Sequence, residues 1–324
     1  MSESSATSAD CPTPHEPVAP AESAPPTSAE SPDQAAPSSG MPPQIPGAAP
    51  PPKSGGRAGR DLGAAIGIGL LLGAVAVTLL YVYRPAFVIL IALAACIGVW
   101  EIVRAVGTTG ALVPISPLLI GTLAMLALAW YRGIDGLTIG LLFTVLAVVV
   151  WRMADSADGY LTATSAGVFI AVYVPFLAGF AVLLAVPDDG ATRVIAFIAA
   201  VVCSDTGGYI AGVLFGKHPM APTISPKKSW EGLGGSLVGS AVFGVLMFTL
   251  AFEATWWKGL LYGLAIAATA TLGDLGESMI KRDIGVKDMG TLLPGHGGVM
   301  DRLDSLLPSA AVAFVLLSVF VPVS

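Results

Sequence analysis

The chain has 324 residues, of which 54% are hydrophobic and only 12% are charged, with a formal net charge of −6. This proportion of charged residues is about half that of ordinary soluble domains, which excludes a soluble globular protein. The three cysteines, Cys11, Cys96 and Cys203, lie far apart in the sequence. Their spacing indicates neither a disulfide framework nor a zinc site.

Residues 1–59 are rich in Pro, Ala, Ser and Gly and show no helical or strand periodicity. Such a segment buries too little apolar surface to offset the entropy of ordering, so we predict a disordered cytoplasmic tail. It lacks the basic start and apolar core of a signal peptide. We favour a solvated extension over a tether to a partner or to the membrane surface.

Residues 60–324 are predicted to form an all-α, polytopic transmembrane helix bundle. Their repeated apolar stretches of about 17–25 residues match the length needed to cross a hydrocarbon core of about 30 Å. We recognise no inverted repeat of the kind common in transporters. We expect about nine spans, at 62–82, 85–103, 112–130, 137–151, 162–186, 193–214, 234–253, 258–273 and 305–323.

The basic residues are expected to orient the bundle. With the N-terminus in the cytoplasm, twelve of the 16 Lys and Arg residues fall on the cytoplasmic side. This bias is typical of the positive-inside rule. We therefore predict a multi-pass protein of the cell (inner or plasma) membrane. Its active face is expected to be cytoplasmic and to be built from residues 200–305.

The first polar cluster, Ser204-Asp205-Thr206-Gly207-Gly208-Tyr209, lies inside a predicted span. An aspartate in an apolar run is costly unless it meets a cation, a partner or water. We interpret Asp205 as functional, and a structural hydrogen bond between helices is the alternative. The paired glycines permit close helix packing or the approach of the backbone to a ligand.

The next cluster is a cytoplasmic loop with the sequence Ser225-Pro226-Lys227-Lys228-Ser229-Trp230-Glu231-Gly232. Two adjacent lysines offer point charges for phosphate oxygens, and Ser225 and Ser229 offer hydrogen-bond donors. Glu231 is expected to hold a lysine or to cap the helix that follows. The alternative is a basic cytoplasmic loop that binds no ligand.

At the end of the eighth predicted span, Asp274, Glu277 and Ser278 lie at positions i, i+3 and i+4, and Lys281 continues the same helical face. Carboxylate and hydroxyl oxygens suit Mg²⁺, which usually bridges to substrate phosphates. We therefore predict metal binding by these carboxylates. An ion pair with Lys281 is the structural alternative.

The last cluster is a glycine-rich segment, Pro294-Gly295-His296-Gly297-Gly298, followed by Val299-Met300-Asp301-Arg302-Leu303-Asp304. Glycine-rich turns let backbone N–H groups approach phosphate oxygens. The whole stretch 278–304 concentrates charge beside apolar spans. That contrast is typical of a site for a charged substrate or ion.

These clusters resemble the CDP-diacylglycerol synthase family, the phosphatidate cytidylyltransferases. The upstream elements at 205–209 and 225–232 are similar to those of the family, and the resemblance is strong over about 203–305. The family signature S-x-x-K-R-x-x-x-x-K-D, followed by H-G-G-x-x-D-R-x-D, is matched by Ser278, Lys281, Arg282, Lys287, Asp288, His296, Gly297, Gly298, Asp301, Arg302 and Asp304.

The resemblance implies a nucleotidyltransferase reaction of phospholipid biosynthesis, in which CTP and phosphatidic acid give CDP-diacylglycerol and pyrophosphate. It implies Mg²⁺ as the cofactor, with K⁺ associated with the same centre, and Asp274 and Asp301 as the metal-binding carboxylates. The expected partners are the two substrates and the lipid bilayer. No nucleic acid is expected, and a homodimer is left open.

Because both substrates are anionic, catalysis must chiefly neutralise charge and position groups. We expect Lys227 or Lys228 to meet the lipid phosphate, the segment 281–302 to hold CTP, and His296 to contact phosphate. The residues expected to take part in catalysis are Asp274, Asp301, Lys227, Lys228, Lys281 and Arg302. The residues expected to bind the substrates are Asp205, Ser225, Ser229, Ser278, Arg282, Lys287, His296, Gly297, Gly298 and Asp304.

Two other groups of functions remain open. A secondary transporter or channel explains the acids within the spans, but not the basic and glycine-rich loops on one side only. A CTP-dependent lipid kinase, or a cytidylyltransferase for another lipid phosphate, shares the same chemistry. Products separate the kinase from the transferase, since the first releases CDP and the second releases pyrophosphate.

Overall fold

The computed structural model describes residues 73–155, 157–290 and 298–322. The predicted tail, the first part of the first predicted span, and His296 and Gly297 lie outside these ranges. The described chain is helical apart from one short β-hairpin, so the predicted all-α class is confirmed. The boundary between the tail and the membrane domain stays a prediction.

The helices follow one another with short connections. A π-helical turn, Val172–Phe176, which contains Pro175, joins α4 to α5. The helices are α1 Gly73–Val82, α2 Arg84–Gly107, α3 Ile115–Met153, α4 Tyr160–Ala171, α5 Leu177–Ala185, α6 Gly190–Phe215, α7 Trp230–Leu250, α8 Trp256–Asp283, α9 Met300–Leu303 and α10 Leu306–Phe320.

Seven helical segments of the described residues are long and apolar enough to cross a membrane. Two of them are composite, because α4 runs through the π-helical turn into α5 and α9 runs into α10. The predicted count of nine is not reproduced helix for helix. The first predicted span is described only as the short helix α1, and the third and fourth lie together in α3.

Helix α3 contains a reversal at Gly133, whose φ of 65° and ψ of −147° are not helical. A positive φ of this kind favours glycine, which has no Cβ to clash with the backbone. The two halves of α3 pack against each other: a Cβ on Gly121 would lie 2.3 Å from Thr144 Oγ1, and one on Gly140 would lie 2.8 Å from Met125 Cγ. The third and fourth predicted spans are therefore the two arms of a helical hairpin.

The apolar interior consists of two clusters. One joins α2, α3 and the α4–α5 segment around Ile102, Leu118 and Val174. The other joins α6, α7, α8 and α10 around Phe248 and Tyr262, among others. The candidate site lies at one end of the second group of helices, where α6, α7, α8 and α9 come together.

Glycines let α6, α7 and α8 pack so closely that their backbones touch. A Cβ on Gly235 would lie 2.3 Å from the carbonyl oxygen of Gly207, and one on Gly244 would lie 2.3 Å from that of Gly259. Small residues at such contacts let helices pack closely within a membrane. The packing role predicted for the Gly207–Gly208 pair is confirmed.

Three basic side chains, Arg84, Arg193 and Lys258, bond to backbone carbonyl oxygens at one end of the bundle. Helix α8 begins at this end, so its last turn, which carries Lys281, lies at the opposite end. Three bonds to backbone carbonyl oxygens define the first end: Arg84 Nη1 to Pro187 at 2.8 Å, Arg193 Nη2 to Val321 at 2.7 Å and Lys258 Nζ to Phe320 at 3.0 Å.

Candidate active site

The segment between α6 and α7 forms a β-hairpin, where the sequence predicted an irregular loop. Strand β1 (Pro219–Ala221) pairs antiparallel with β2 (Ser225–Ser229). Pro226 is tolerated because a two-stranded hairpin consists only of edge strands. In β2, Lys227 is exposed and Lys228 is half-buried.

The start of α7 is fixed by two side chains. Ser229 is the N-cap, and its Oγ accepts a hydrogen bond from Gly232 N at 3.1 Å. Glu231 was predicted to hold a lysine or to cap the helix: the cap is Ser229, and Glu231 holds Lys217 through the backbone rather than the side chain. Its Oε2 accepts from the backbone N–H groups of Lys217 and His218, and its Oε1 lies 2.6 Å from His218 Nδ1. Glu231 therefore joins the end of α6 to the start of α7.

The hairpin is bonded to the last turns of α8. Lys228 Nζ lies 2.6 Å from Asp274 Oδ2, and both side chains are partly buried. Arg282 Nε donates to the carbonyl oxygen of Ile224 at 3.4 Å, which is a weaker second link. The basic cluster and the acidic cluster, which are separate in the sequence, are therefore neighbours.

One face of α8 carries Asp274, Glu277, Ser278 and Lys281, as the spacing predicted, and all four line one cavity. Lys281 Nζ lies 2.7 Å from Glu277 Oε2 and 2.5 Å from Asp301 Oδ1. The ion pair that was the alternative to metal binding is thus present. It also connects α8 to α9.

Asp301 lies in the first turn of α9 and is held by backbone donors. Gly298 N donates to its Oδ2 at 2.6 Å, and Met289 N donates to its Oδ1 at 3.3 Å. The preceding residue, Met300, donates its N–H to Glu101 Oε2 of α2 at 2.8 Å. Together these bonds fix the start of a helix that has only four residues.

Two adjoining cavities lie at this end of the bundle, and both are lined by Asp205, Lys228 and Asp274. The hairpin cavity, of about 250 Å³, lies between α6, β2, α7 and α8. The charged cavity, of about 350 Å³, is lined only by charged or hydroxyl-bearing side chains. Besides the shared three, its lining consists of Glu277, Ser278, Lys281, Asp301, Arg302, Asp304 and Ser305.

Most of the predicted site residues line these cavities: Asp205, Lys227, Lys228, Ser229, Asp274, Ser278, Lys281, Asp301, Arg302 and Asp304. Four described residues lie outside the linings. Ser225 pairs with Ala221 in the hairpin, Arg282 contacts Ile224, Lys287 is exposed, and Gly298 holds Asp301 through its N–H. The chemical role of each residue stays a prediction.

The sequence reasoning missed Glu101, which is bonded to the start of α9. An acid between Trp100 and Ile102 in an apolar helix is the same signal that identified Asp205. It was passed over because no other polar residue accompanies it in a recognisable motif.

The charged cavity contains donors of the kind that Mg²⁺ prefers, namely carboxylate oxygens. They belong to Asp205, Asp274, Glu277, Asp301 and Asp304. Glu277 Oε1 is buried and has no hydrogen-bond partner among the described residues. In the same part of the chain, no three acidic, His or Cys side chains are grouped closely enough to hold an ion, and Asp274 and Asp301 are bonded to lysines. The donors fit in kind, and the metal stays a prediction.

Known proteins with similar sequences point to one family. The Cytidylyltransferase family profile matches residues 64–320, so the match begins after the predicted tail. A phosphatidate cytidylyltransferase of Mycobacterium bovis is 45% identical over 275 residues, which cover 81% of this chain and 90% of that protein. One of Mycobacterium leprae is 47% identical over 279 residues, covering 81% and 89%. One of Brucella suis is 35% identical over 185 residues, covering 57% and 66%.

Proposed function

Because the chain belongs to the cytidylyltransferase family, we propose that it is a membrane enzyme that converts CTP and phosphatidic acid into CDP-diacylglycerol and pyrophosphate. The observation that carries the proposal is the charged cavity. It is lined only by charged and hydroxyl groups and lies at one end of a bundle of membrane-length helices. Such a site brings the headgroup of a lipid and a soluble nucleotide together.

The reaction is an in-line displacement at phosphorus. A phosphate oxygen of phosphatidic acid forms a bond to the α-phosphorus of CTP, while the bond from that phosphorus to the β-phosphate oxygen breaks and pyrophosphate leaves. The attacking phosphate is already ionised, so no general base is required. The protein has to neutralise charge and align the two phosphates.

Two groups of basic side chains are available for the two substrates. We assign the lipid phosphate to Lys227 and Lys228, which lie on β2 and line the hairpin cavity. We assign the triphosphate of CTP to Lys281 and Arg302, which line the charged cavity. Because the two cavities adjoin at Lys228 and Asp274, the reacting phosphates would meet there.

Asp274 and Asp301 would hold Mg²⁺, with K⁺ at the same centre. A bound divalent ion supplies Lewis-acid stabilisation of the charge on the triphosphate. To bind the ion, Asp274 would have to release Lys228, and Asp301 would have to release Lys281. The two lysines are then free to bind phosphate oxygens.

The acyl chains need an apolar path beside the polar site. An apolar cavity of about 140 Å³ lies between α2, α5, α6 and the α9–α10 segment, and Leu303, Leu306 and Leu307 line it. Asp304, between these leucines in the chain, lines the charged cavity. We therefore place an acyl chain in the apolar cavity and the lipid phosphate at Lys228, which lines both the charged cavity and the hairpin cavity.

We propose that the site faces the cytoplasm, which supplies CTP. The support is the distribution of basic residues, since nine of the 13 Lys and Arg residues in the described part of the chain lie at the end of the bundle that contains the site. This is the orientation that the positive-inside rule favours.

The test is to incubate purified protein with labelled CTP, phosphatidic acid and Mg²⁺ and to analyse the products. We expect a labelled liponucleotide, with one pyrophosphate released for each molecule formed. A lipid kinase would instead release CDP, and a transporter would catalyse flux in proteoliposomes without CTP. Failure to form a liponucleotide under these conditions would overturn the proposal.

A further inference from the structure

Glu101 is an acidic residue in the last third of α2, and only 1% of its surface is exposed. Burying a carboxylate in an apolar helix bundle is costly unless hydrogen bonds or cations compensate. The ion pairs found among the described residues do not include Glu101. Among the described residues its compensation comes from neutral groups bonded to Oε2, while Oε1 is buried without a hydrogen-bond partner.

One neutral group is the backbone of α9. Glu101 Oε2 accepts the N–H of Met300 at 2.8 Å, across a separation of 199 residues. The side chain of Met300 is fully buried and packs over Gly98, one helical turn before Glu101. The same face of α2 therefore contacts α9 through a glycine and a carboxylate.

Two glycines confine the carboxylate from the other side. Glu101 Oε1 lies 2.1 Å from the position that a Cβ on Gly290 would take, and Oε2 lies 2.5 Å from the corresponding position on Gly298. Side chains at either place would displace the carboxylate. Glu101 is therefore fitted between the backbone of Gly290 and that of Gly298.

The same stretches of backbone hold Asp301. Its two donors are the N–H groups of Gly298 and of Met289, the residue next to Gly290. Glu101 therefore lies against Gly298, which supplies one of these bonds, and against Gly290, the neighbour of Met289, which supplies the other. It also bonds the N–H of Met300, which precedes Asp301. A shift of Glu101 would disturb the backbone that carries both donors.

We propose that Glu101 is a positioning residue for the transferase reaction, which keeps Asp301 directed into the charged cavity by holding Gly290, Gly298 and Met300. The proposal rests on the proposed function in so far as the reaction uses Asp301. It requires an acceptor oxygen at the position of Oε2, and it does not require a negative charge.

The first measurement compares Glu101→Ala with Glu101→Gln in the purified full-length chain. Partners that orient a functional carboxylate typically change activity by about 10–100-fold when they are removed, and we expect that loss in kcat for Glu101→Ala, with little change in the KM for phosphatidic acid. Glu101→Gln keeps an acceptor oxygen at the same distance and should stay close to the parent. Gly290→Ala should reproduce the loss, because its Cβ displaces the carboxylate.

The second measurement does not depend on activity. Amide hydrogen exchange of residues 298–303 should become faster in Glu101→Ala and in Gly290→Ala, but not in Glu101→Gln. Thr122→Val is a matched control, because Thr122 is also fully buried in an apolar helix, but in the described part of the chain its hydroxyl bonds only to Leu118 O of its own helix. It should change neither exchange at 298–303 nor turnover.

Unchanged exchange and turnover in Glu101→Ala would show the proposal to be wrong. A loss in Glu101→Gln equal to that in Glu101→Ala would also overturn it, because charge would then matter rather than hydrogen bonding. If Glu101→Ala does not fold, Gly290→Ala and Glu101→Gln decide the question. If the parent protein forms no liponucleotide, the proposed function fails, and the exchange comparison still tests the contact.

Discussion

The charged side chains of the site occur as bonded pairs of opposite sign. Lys228 is bonded to Asp274, and Lys281 is bonded to both Glu277 and Asp301. Removing one member of a buried pair leaves the other uncompensated. The effects of single substitutions at these residues are therefore expected to be interdependent.

Asp274→Asn tests the acidic side of these pairs. Asparagine keeps an oxygen that accepts from Lys228 but removes the charge, so the protein should stay folded in detergent while liponucleotide formation falls by roughly a hundredfold or more. We expect the same of Asp301→Asn. The control is Asp155→Asn, whose carboxylate pairs with Arg152 outside the two site cavities and whose loss should leave activity intact. Near-parent activity of Asp274→Asn would contradict its assignment.

The residues lining the cavities were largely predictable, because a charged residue in an apolar span has few structural reasons to be there. Asp205, Asp274 and Asp301 are examples. Glu101 was not predicted, since its partner is a backbone N–H group 199 residues away. The bonds of Glu231 to the N–H groups of Lys217 and His218 were not predicted, because the hairpin that brings these residues together was itself unforeseen.

At the scale of helices, the position of the site depends on the glycine contacts of α6, α7 and α8. Helix α6 carries Asp205, helix α8 carries Asp274, and helix α7 begins directly after the hairpin. Because backbone atoms touch at Gly207 and Gly235, a small separation of α6 from α7 would widen the hairpin cavity between them.

Gly235→Ala and its neighbour Gly234→Ala form a matched pair within α7. A Cβ on Gly235 would meet the carbonyl oxygen of Gly207 at 2.3 Å, whereas one on Gly234 would meet nothing within 4 Å. We expect Gly235→Ala to lower the free energy of unfolding by about 1–3 kcal/mol through overpacking and to reduce activity. Gly234→Ala should be neutral or stabilising, since alanine is favoured over glycine in helices by about 1 kcal/mol.

Thermal unfolding of the two variants in the same detergent checks this prediction. Equal melting temperatures would show that α6 and α7 do not approach as closely as the structure indicates. A drop in Gly234→Ala alone would be inconsistent with its open surroundings.

Helix boundaries were predictable to different degrees. Apolar length identified both arms of α3, and the polar residues Arg132 and Asp135 between them mark the reversal that the structure places at Gly133. The β-hairpin was missed because five residues containing Pro226 carry little strand signal. Its pairing depends on the ends of α6 and α7, which Glu231 brings together.

For the whole molecule, the two ends of the bundle are expected to lie on opposite sides of the membrane and so to be accessible to reagents from opposite sides. Lys217, beside the hairpin, and Asp188, beside Arg84, are both exposed. In a variant with Cys11, Cys96 and Cys203 replaced by serine, we expect Lys217→Cys to react with a membrane-impermeant maleimide only after the cells are opened. Asp188→Cys should react in intact cells. The reverse pattern would place the site on the outer side.

The reversal at Gly133 has a consequence for any molecule that approaches from the end opposite the site. Among the described residues, the connections at that end are Tyr83, Gly133, 186–189 and 251–255, whereas those at the site end are 108–114, 154–155, 157–159, 216–229, 284–290 and 298–299. An antibody fragment that reaches only the far end would meet short connections, which offer few protruding residues to bind. Binders raised against the intact bundle should therefore select the end that contains the hairpin, and many of them should compete with nucleotide.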